Sequence, residues 1–171
     1  MQRVFVGLGS NRGDRHRFLM NAFKALDQIP GWTVQATSSI YETEPVGNKD
    51  QPYFLNAVVE VYTSDPADLV LKTLKKTEQS IGRTPSERWG PREIDLDLLY
   101  VGGLVHQEPG FVLPHPEISK RRFVLVPLAE IAPDFIDPQR GSSMKELLRN
   151  CADVSSVNRT SLSFHPTTLE E

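Results

Sequence analysis

Cys151 is the only cysteine among 171 residues. No disulfide can form within the chain, so the fold must rest on buried apolar surface. In the helix-like stretch that carries it, a lone thiol reads as a small buried hydrophobe. A basic excess is also missing. Lys and Arg number 19 against 22 Asp and Glu, a formal net charge of −3, which argues against a general nucleic-acid coat protein but leaves room for a local basic pocket. Long hydrophobic runs are absent too. The greasiest stretch, "FVLVPLAEIA", is broken by Pro127 and Glu130 and falls well short of a membrane span. The opening "MQRVFVGLGS" holds too short an apolar run for a signal peptide. A cytoplasmic address and no membrane or nucleic-acid partner are therefore expected. Nothing in the pattern marks an oligomer, and a monomer is the simpler expectation.

What is present is an ordinary globular composition, 39% hydrophobic and 24% charged, in a length that suits one domain with one sizeable core. No internal repeat and no linker interrupts it. Residues 3–8 read as a short buried strand, broken by "GSNRGD". Asp14 can cap a helix over 15–29, where Phe18, Leu19, Ala22, Phe23, Leu26 and Ile29 recur at helical spacing until Pro30-Gly31. A strand over 33–41 follows, then a turn-rich loop over 42–52, and "YFLNAVVEVY" (53–62) is the clearest strand. Asp65-Pro66 opens a second helix, as N-cap and first helical residue. Leu71, Leu74 and Ile81 share its stripe, and Gly82 ends it. "EIDLDLLYV" (93–101) is a fourth strand. A hairpin at Gly102-Gly103 is expected to turn into "LVHQ", with short helices over 119–131 and 143–151. The order β-α-β-β-α-β predicts a ferredoxin-like α+β plait, an antiparallel sheet with both helices on one face and the remainder on the other. The domain is expected to span 1–152. The Ser/Thr-rich segment 153–171 reads as a mobile tail.

The chemistry concentrates in "RWGPREIDLDLLY" (88–100). On a strand, Asp95 and Asp97 share one face, about 7 Å apart, while Ile94, Leu96 and Leu98 share the other. Adjacent carboxylates repel unless a cation lies between them. Mg²⁺ is the obvious cation, because it takes one or two carboxylates together with phosphate oxygens. Arg88 and Arg92 then fit as phosphate partners. Such a layout serves phosphoryl-type transfer, where catalysis is mostly positioning and charge stabilisation. The bland alternative is a solvent-facing strand edge. Trp89 beside Gly90-Pro91, with arginines on both sides, is hard to explain as solvation alone. Asn56 interrupts an otherwise apolar strand, and a buried amide needs partners.

"RWGPREIDLDLL" resembles the signature of the 6-hydroxymethyl-7,8-dihydropterin pyrophosphokinase family, also called 2-amino-4-hydroxy-6-hydroxymethyldihydropteridine diphosphokinase. "VGLGSN", "YETEPVGNKDQPYFLNAVV" and "LPHPEISKRRFVLVPLAEIAP" are similar to further family segments in the same order, over roughly 1–150. The resemblance implies a ferredoxin-like fold and transfer of pyrophosphate from ATP to the pterin's hydroxymethyl oxygen, with AMP leaving, in folate synthesis. It implies two Mg²⁺ ions at Asp95 and Asp97, and one aspartate as a possible acceptor of the hydroxyl proton. By motif, the pterin would meet Thr43, Glu44, Val46, Phe54, Asn56 and Phe123. ATP would meet Glu78, Arg88, Trp89, Leu98, His115 and Arg121. Arg83 and Arg92 would join the two aspartates as catalytic residues. One departure stands out. Many members carry a second arginine shortly after the first on a mobile loop; here Thr84-Pro85-Ser86 offers none, the loop is one residue shorter, and the work falls to Arg83 or Arg88.

Three rival readings fit the residues less well. "GLGSNRG" lacks the spacing of a dinucleotide fingerprint. Another Mg²⁺-dependent phosphoryl- or nucleotidyl-transfer enzyme on the same plait would share the paired aspartates but not Trp89 or the Phe54–Asn56 pair. A single-stranded RNA binder would show aromatic and basic residues where this chain has acids.

Overall fold

The computed structural model describes residues 1–165. Strand β1 (Gln2–Ser10) leads into helix α1 (Arg15–Asp27), whose first turn is capped by the Asp14 carboxylate accepting from Arg17 N at 3.1 Å. Strands β2 (Thr33–Thr37), β3 (Tyr41–Thr43) and β4 (Phe54–Thr63) follow, then α2 (Ala67–Ile81) and β5 (Asp95–Val101). A hairpin of β6 (His106–Glu108) and β7 (Phe111–Leu113), helices α3 (Arg122–Ile131) and α4 (Met144–Arg149), and a last strand β8 (Val157–Arg159) complete the described elements. The main sheet runs β5-β1-β4-β3-β8, with β2 also on β4, and every pairing is antiparallel. The plait expected from the sequence is therefore present.

Alternation along β1 and β4 sorts the core into two layers. Val4, Val6, Leu8, Val59 and Val61 face α1 and α2 together with Leu19, Leu26, Val70 and Leu74. Phe5, Val58, Leu99 and Tyr100 face α3 and α4 with Leu125, Leu128 and Met144. Each fully buried Val, Leu or Phe contributes about 1.5–3 kcal/mol, so both layers matter to stability. The second layer carries a polar tie. The Tyr100 hydroxyl donates to the Asp137 carboxylate at 2.6 Å. Burial alone would raise that carboxyl, but Tyr100, the Arg140 and Gln139 amides and the Arg140 guanidinium hold it below the usual carboxylate range.

Several sequence expectations need correction. The strand expected over 33–41 is two strands. Ser38 N donates to Val58 O, but the Val58 amide goes to the Ser38 hydroxyl in place of its carbonyl, so the chain breaks there and resumes at Tyr41. Asp65 does not cap α2. Its carboxylate accepts from the Trp32 indole at 2.9 Å, and Pro66 stands at the N-cap. The chain does turn at Gly102-Gly103, with Leu104 N donating to Val101 O at 3.0 Å, but it does not return along β5; β6 and β7 pair with each other in a separate small sheet. The segment after 152 does not leave the domain at once. β8 pairs with β3, and Phe164 is 3% exposed in the α1–α2 layer. The remainder of the expected tail, 166–171, lies outside the described residues.

β5 carries a bulge. Phe5 pairs with Tyr100 but Val6 with Leu98, so Leu99 is the extra residue. Plain alternation puts Asp95, Asp97 and Leu99 on the α3 side and Leu98 in the α1–α2 layer, and the bulge brings Tyr100 to the α3 side next to Leu99. On the rim of β5 away from β1, the Glu78 carboxylate accepts from Leu96 N at 2.7 Å and His115 N donates to Leu99 O at 3.1 Å.

Candidate active site

Two glycines make the floor. On β1, Gly7 lies between Asp97 and Val58, and Gly9 between Asp95 and Asn56. With no side chains there, the α3 face of the sheet opens into a cavity of about 250 Å³. Gly9 is required by close approach: a Cβ added to it would stand 2.6 Å from Asn56 Oδ1. Asn56 is 8% exposed, and its amide donates to Thr43 Oγ1 at 2.7 Å. One end of the cavity is thus an oriented amide with Phe54, Phe123, Thr43, Glu44 and Val46 around it, the apolar setting with a few fixed polar groups that holds a flat ring.

The other end is charged. Asp95 is gripped by Arg83 (Nη1 to Oδ1, 2.7 Å) and Arg92 (Nη1 to Oδ2, 2.9 Å), and Arg83 also lies 3.4 Å from Glu78. The Asp97 carboxylate makes no hydrogen bond among the described residues. Burial first, and Asp95 second, push its carboxyl up to about 7, against the pull of Arg121 and Arg92. The Arg121 guanidinium stands between two rings, 5.9 Å from Trp89 and 5.7 Å from Phe123. His115 accepts from Glu117 N at 3.2 Å on Nδ1, so the neutral ring keeps its proton on Nε2. Burial, then the Arg121 charge, lower its pKa and favour that neutral form. Trp89 takes a positive φ of 65°, a strained conformation for a bulky residue. Gly47 sits close against its side chain, and Gln51 Nε2 holds its carbonyl at 2.8 Å.

Most of the sequence-picked residues converge on this cavity: Thr43, Glu44, Val46, Phe54, Asn56 and Phe123 at one end, and Arg88, Trp89, Arg92, Asp95, Asp97, His115 and Arg121 at the other. Three do not line it. Leu98 belongs to the opposite layer. Glu78 is 4% exposed, bonded to Leu96 N, with its carboxyl raised chiefly by burial. Arg83 reaches the site only through Asp95. Sequence reasoning missed Gly7, Gly9, Asn11 and Gln51. The alternation of glycines in "VGLGS" could have shown a bare sheet face. Asn11 gave no such signal. It is 1% exposed, accepts from Arg92 N at 2.8 Å and donates to Gln51 Oε1 and Pro52 O, both at 3.0 Å, so it fixes the arginine loop to the opposite one.

The described residues contain no cluster of three or more His, Cys, Asp or Glu suited to a metal. Two carboxylates on one strand face, one of them unpaired, are nonetheless the donor set that Mg²⁺ takes when phosphate and water complete its shell. Among the same residues, no helix is long and apolar enough to cross a membrane.

Comparison with known proteins matches residues 5–133 to the family described as 7,8-dihydro-6-hydroxymethylpterin-pyrophosphokinase. The chain is 42% identical over 159 residues to the 2-amino-4-hydroxy-6-hydroxymethyldihydropteridine pyrophosphokinase of Methylorubrum extorquens, covering 93% of this chain and 99% of that one. It is 46% identical over 129 residues to the enzyme of the same name from Bacillus subtilis, covering 75% and 77%. Among solved structures, Plasmodium falciparum HPPK-DHPS superposes with a TM-score of 0.65 at 14% identity, over 86% of this chain and 44% of that longer one; this likeness concerns the fold.

Proposed function

Because this chain belongs to the 7,8-dihydro-6-hydroxymethylpterin-pyrophosphokinase family, we propose that its glycine-floored cavity holds the pterin at the Asn56 end and the ATP phosphates at the Asp95–Asp97 end. The observation that carries this reading is that one continuous space joins an oriented amide and two aromatic rings to paired carboxylates ringed by arginines. The hydroxymethyl oxygen of 6-hydroxymethyl-7,8-dihydropterin attacks the β-phosphorus of ATP. The bond from that phosphorus to the α,β-bridging oxygen breaks, AMP leaves, and the pterin diphosphate results.

Asn56 reads the hydrogen-bonding edge of the pterin, and Phe54 and Phe123 flank its faces. Arg92, Arg121 and the Nε2–H of His115 donate to phosphate oxygens as charge shifts during transfer. Arg83 holds Asp95 in place from outside the cavity. Asp95 and Asp97 would hold Mg²⁺, two ions by the family resemblance; when bound, it neutralises phosphate charge and favours an in-line arrangement. With that charge present, Asp97 stays ionised at neutral pH. Trp89 and its neighbours on 83–92 cover the nucleotide and limit water.

The test is a single assay. Protein, ATP, Mg²⁺ and hydroxymethyldihydropterin together should yield AMP and pterin diphosphate in equal amounts. AMP formed equally without the pterin, or no AMP at all, would overturn the assignment.

Gly9 offers a sharper check of the pterin end. Gly9→Ala pushes Asn56 off the position it needs. Losing about one well-made hydrogen bond, roughly 1.4 kcal/mol, raises the pterin KM about tenfold with little change for ATP. An unaltered pterin KM would remove Asn56 from recognition.

A further inference from the structure

We propose that residues 153–156 are a bridge that sets the width of the pterin slot, and that Asp153 and Ser156 are positioning residues for pterin recognition. The inference rests on the assignment of Thr43, Asn56 and Phe123 to the pterin end. The two walls of that end come from different elements. Phe123 rides on the first turn of α3, and Thr43 ends β3 and holds the Asn56 amide. Packing of Val124 and Leu125 with Val58 seats the helix on the sheet, and a further tie acts at the mouth of the cavity.

The bridge joins them. Asp153 Oδ2 accepts from Arg122 N at 3.0 Å, at the start of α3. Its other oxygen takes the amide of Ser155 at 2.9 Å and the Ser155 hydroxyl. The next residue, Ser156, donates its amide to Glu44 Oε1 at 2.5 Å and accepts from Glu44 N at 3.3 Å. Val157 then pairs with Thr43 as β8 begins. Four residues thus run from the Phe123 helix to the Thr43 strand, fastened at both ends by hydrogen bonds to a carboxylate, the stronger kind. The far end of α3 is tied to the same side by Glu130, which accepts from the Tyr41 hydroxyl at 2.9 Å and Ser39 N at 2.8 Å. The helix is held against β3 at two points, and the one nearer the cavity is the bridge. It also gives the Glu44 side chain its occupation: the carboxylate is turned to Ser156.

The bridge predicts a selective defect. In the full-length chain, Asp153→Ala and Ser156→Pro, which removes the donated amide, should each raise the pterin Kd and KM about tenfold. The Kd of an unreactive ATP analogue should stay within about twofold, and kcat at saturating pterin should persist. Asp153→Asn keeps the acceptor for Arg122 N and should restore pterin affinity. Glu44→Ala removes the acceptor for the Ser156 amide without altering the bridge's own residues, and carries the test should the proline variant fail to fold. Unchanged pterin affinity in the folded variants would overturn the proposal. So would a parallel loss of both affinities together with a depressed Tm, the mark of a purely structural role. Wild-type protein that binds no pterin would instead overturn the functional reading beneath it, a distinguishable failure.

Discussion

Asp97→Ala lowers kcat by about 10³-fold or more, the scale on which a charged group acting on the transition state is felt in a site closed to water, and leaves the fold intact. The geometry argues for both halves. Asp97 lies at the charged end of the cavity, on the same face as Asp95, and its carboxylate makes no hydrogen bond among the described residues. A half-buried carboxylate beside another is costly to keep ionised, so its removal relieves the protein rather than harming it. On the proposed reading, what is lost is the second oxygen donor for Mg²⁺. Initial-rate kinetics and thermal unfolding in parallel check the prediction. Turnover near wild type would take Asp97 out of the metal site, and a collapsed Tm would show that the residue serves folding instead.

Arg92→Ala comes next in size, with a fall of about 10²–10³-fold in kcat and a much smaller change in nucleotide affinity. Arg92 is positioned twice over. Its backbone exchanges bonds with Asn11, and its guanidinium meets Asp95 at 2.9 Å while also facing the cavity. A group anchored this firmly acts best on charge that appears during transfer, so its loss should register in kcat. Removing it also leaves Asp95 balanced by Arg83 alone, which sharpens the repulsion with Asp97. Pre-steady-state rates and the Kd of an unreactive ATP analogue separate the two quantities. A raised KM with kcat unchanged would reassign Arg92 to ground-state binding.

Much of this site was legible in the sequence because strand alternation is a strict rule. Asp95 and Asp97 had to share a face, and Asn56 stood out as an amide among apolar neighbours. What was not legible depended on long-range partners. Leu98 carries a motif match, yet the alternation that puts the aspartates in the cavity turns Leu98 away from it. Glu78 reads on α2 as an ordinary surface acid; only the approach of β5 shows it buried on the Leu96 amide. Asn11 lies in a turn-like stretch, and its three contacts come from residues some 40 to 81 positions away. The segment after 152 misled for a related reason. Its Ser- and Thr-rich composition reads as solvated, whereas β8 needs only three residues and a backbone edge to dock on, and composition does not report a vacant edge.

The rim of β5 has a bearing on how copies of this protein meet. An open strand at the border of a sheet invites a second chain to lengthen it, the usual start of fibrous association. Here the Leu96 amide is already satisfied by an acid from α2, and the Leu99 carbonyl by the amide of His115. An incoming strand would have to expel a carboxylate and a rigid proline-flanked turn before it could zip on. The strand that bears Asp95 and Asp97 is therefore shielded from polymer growth by the residues that hold it in register.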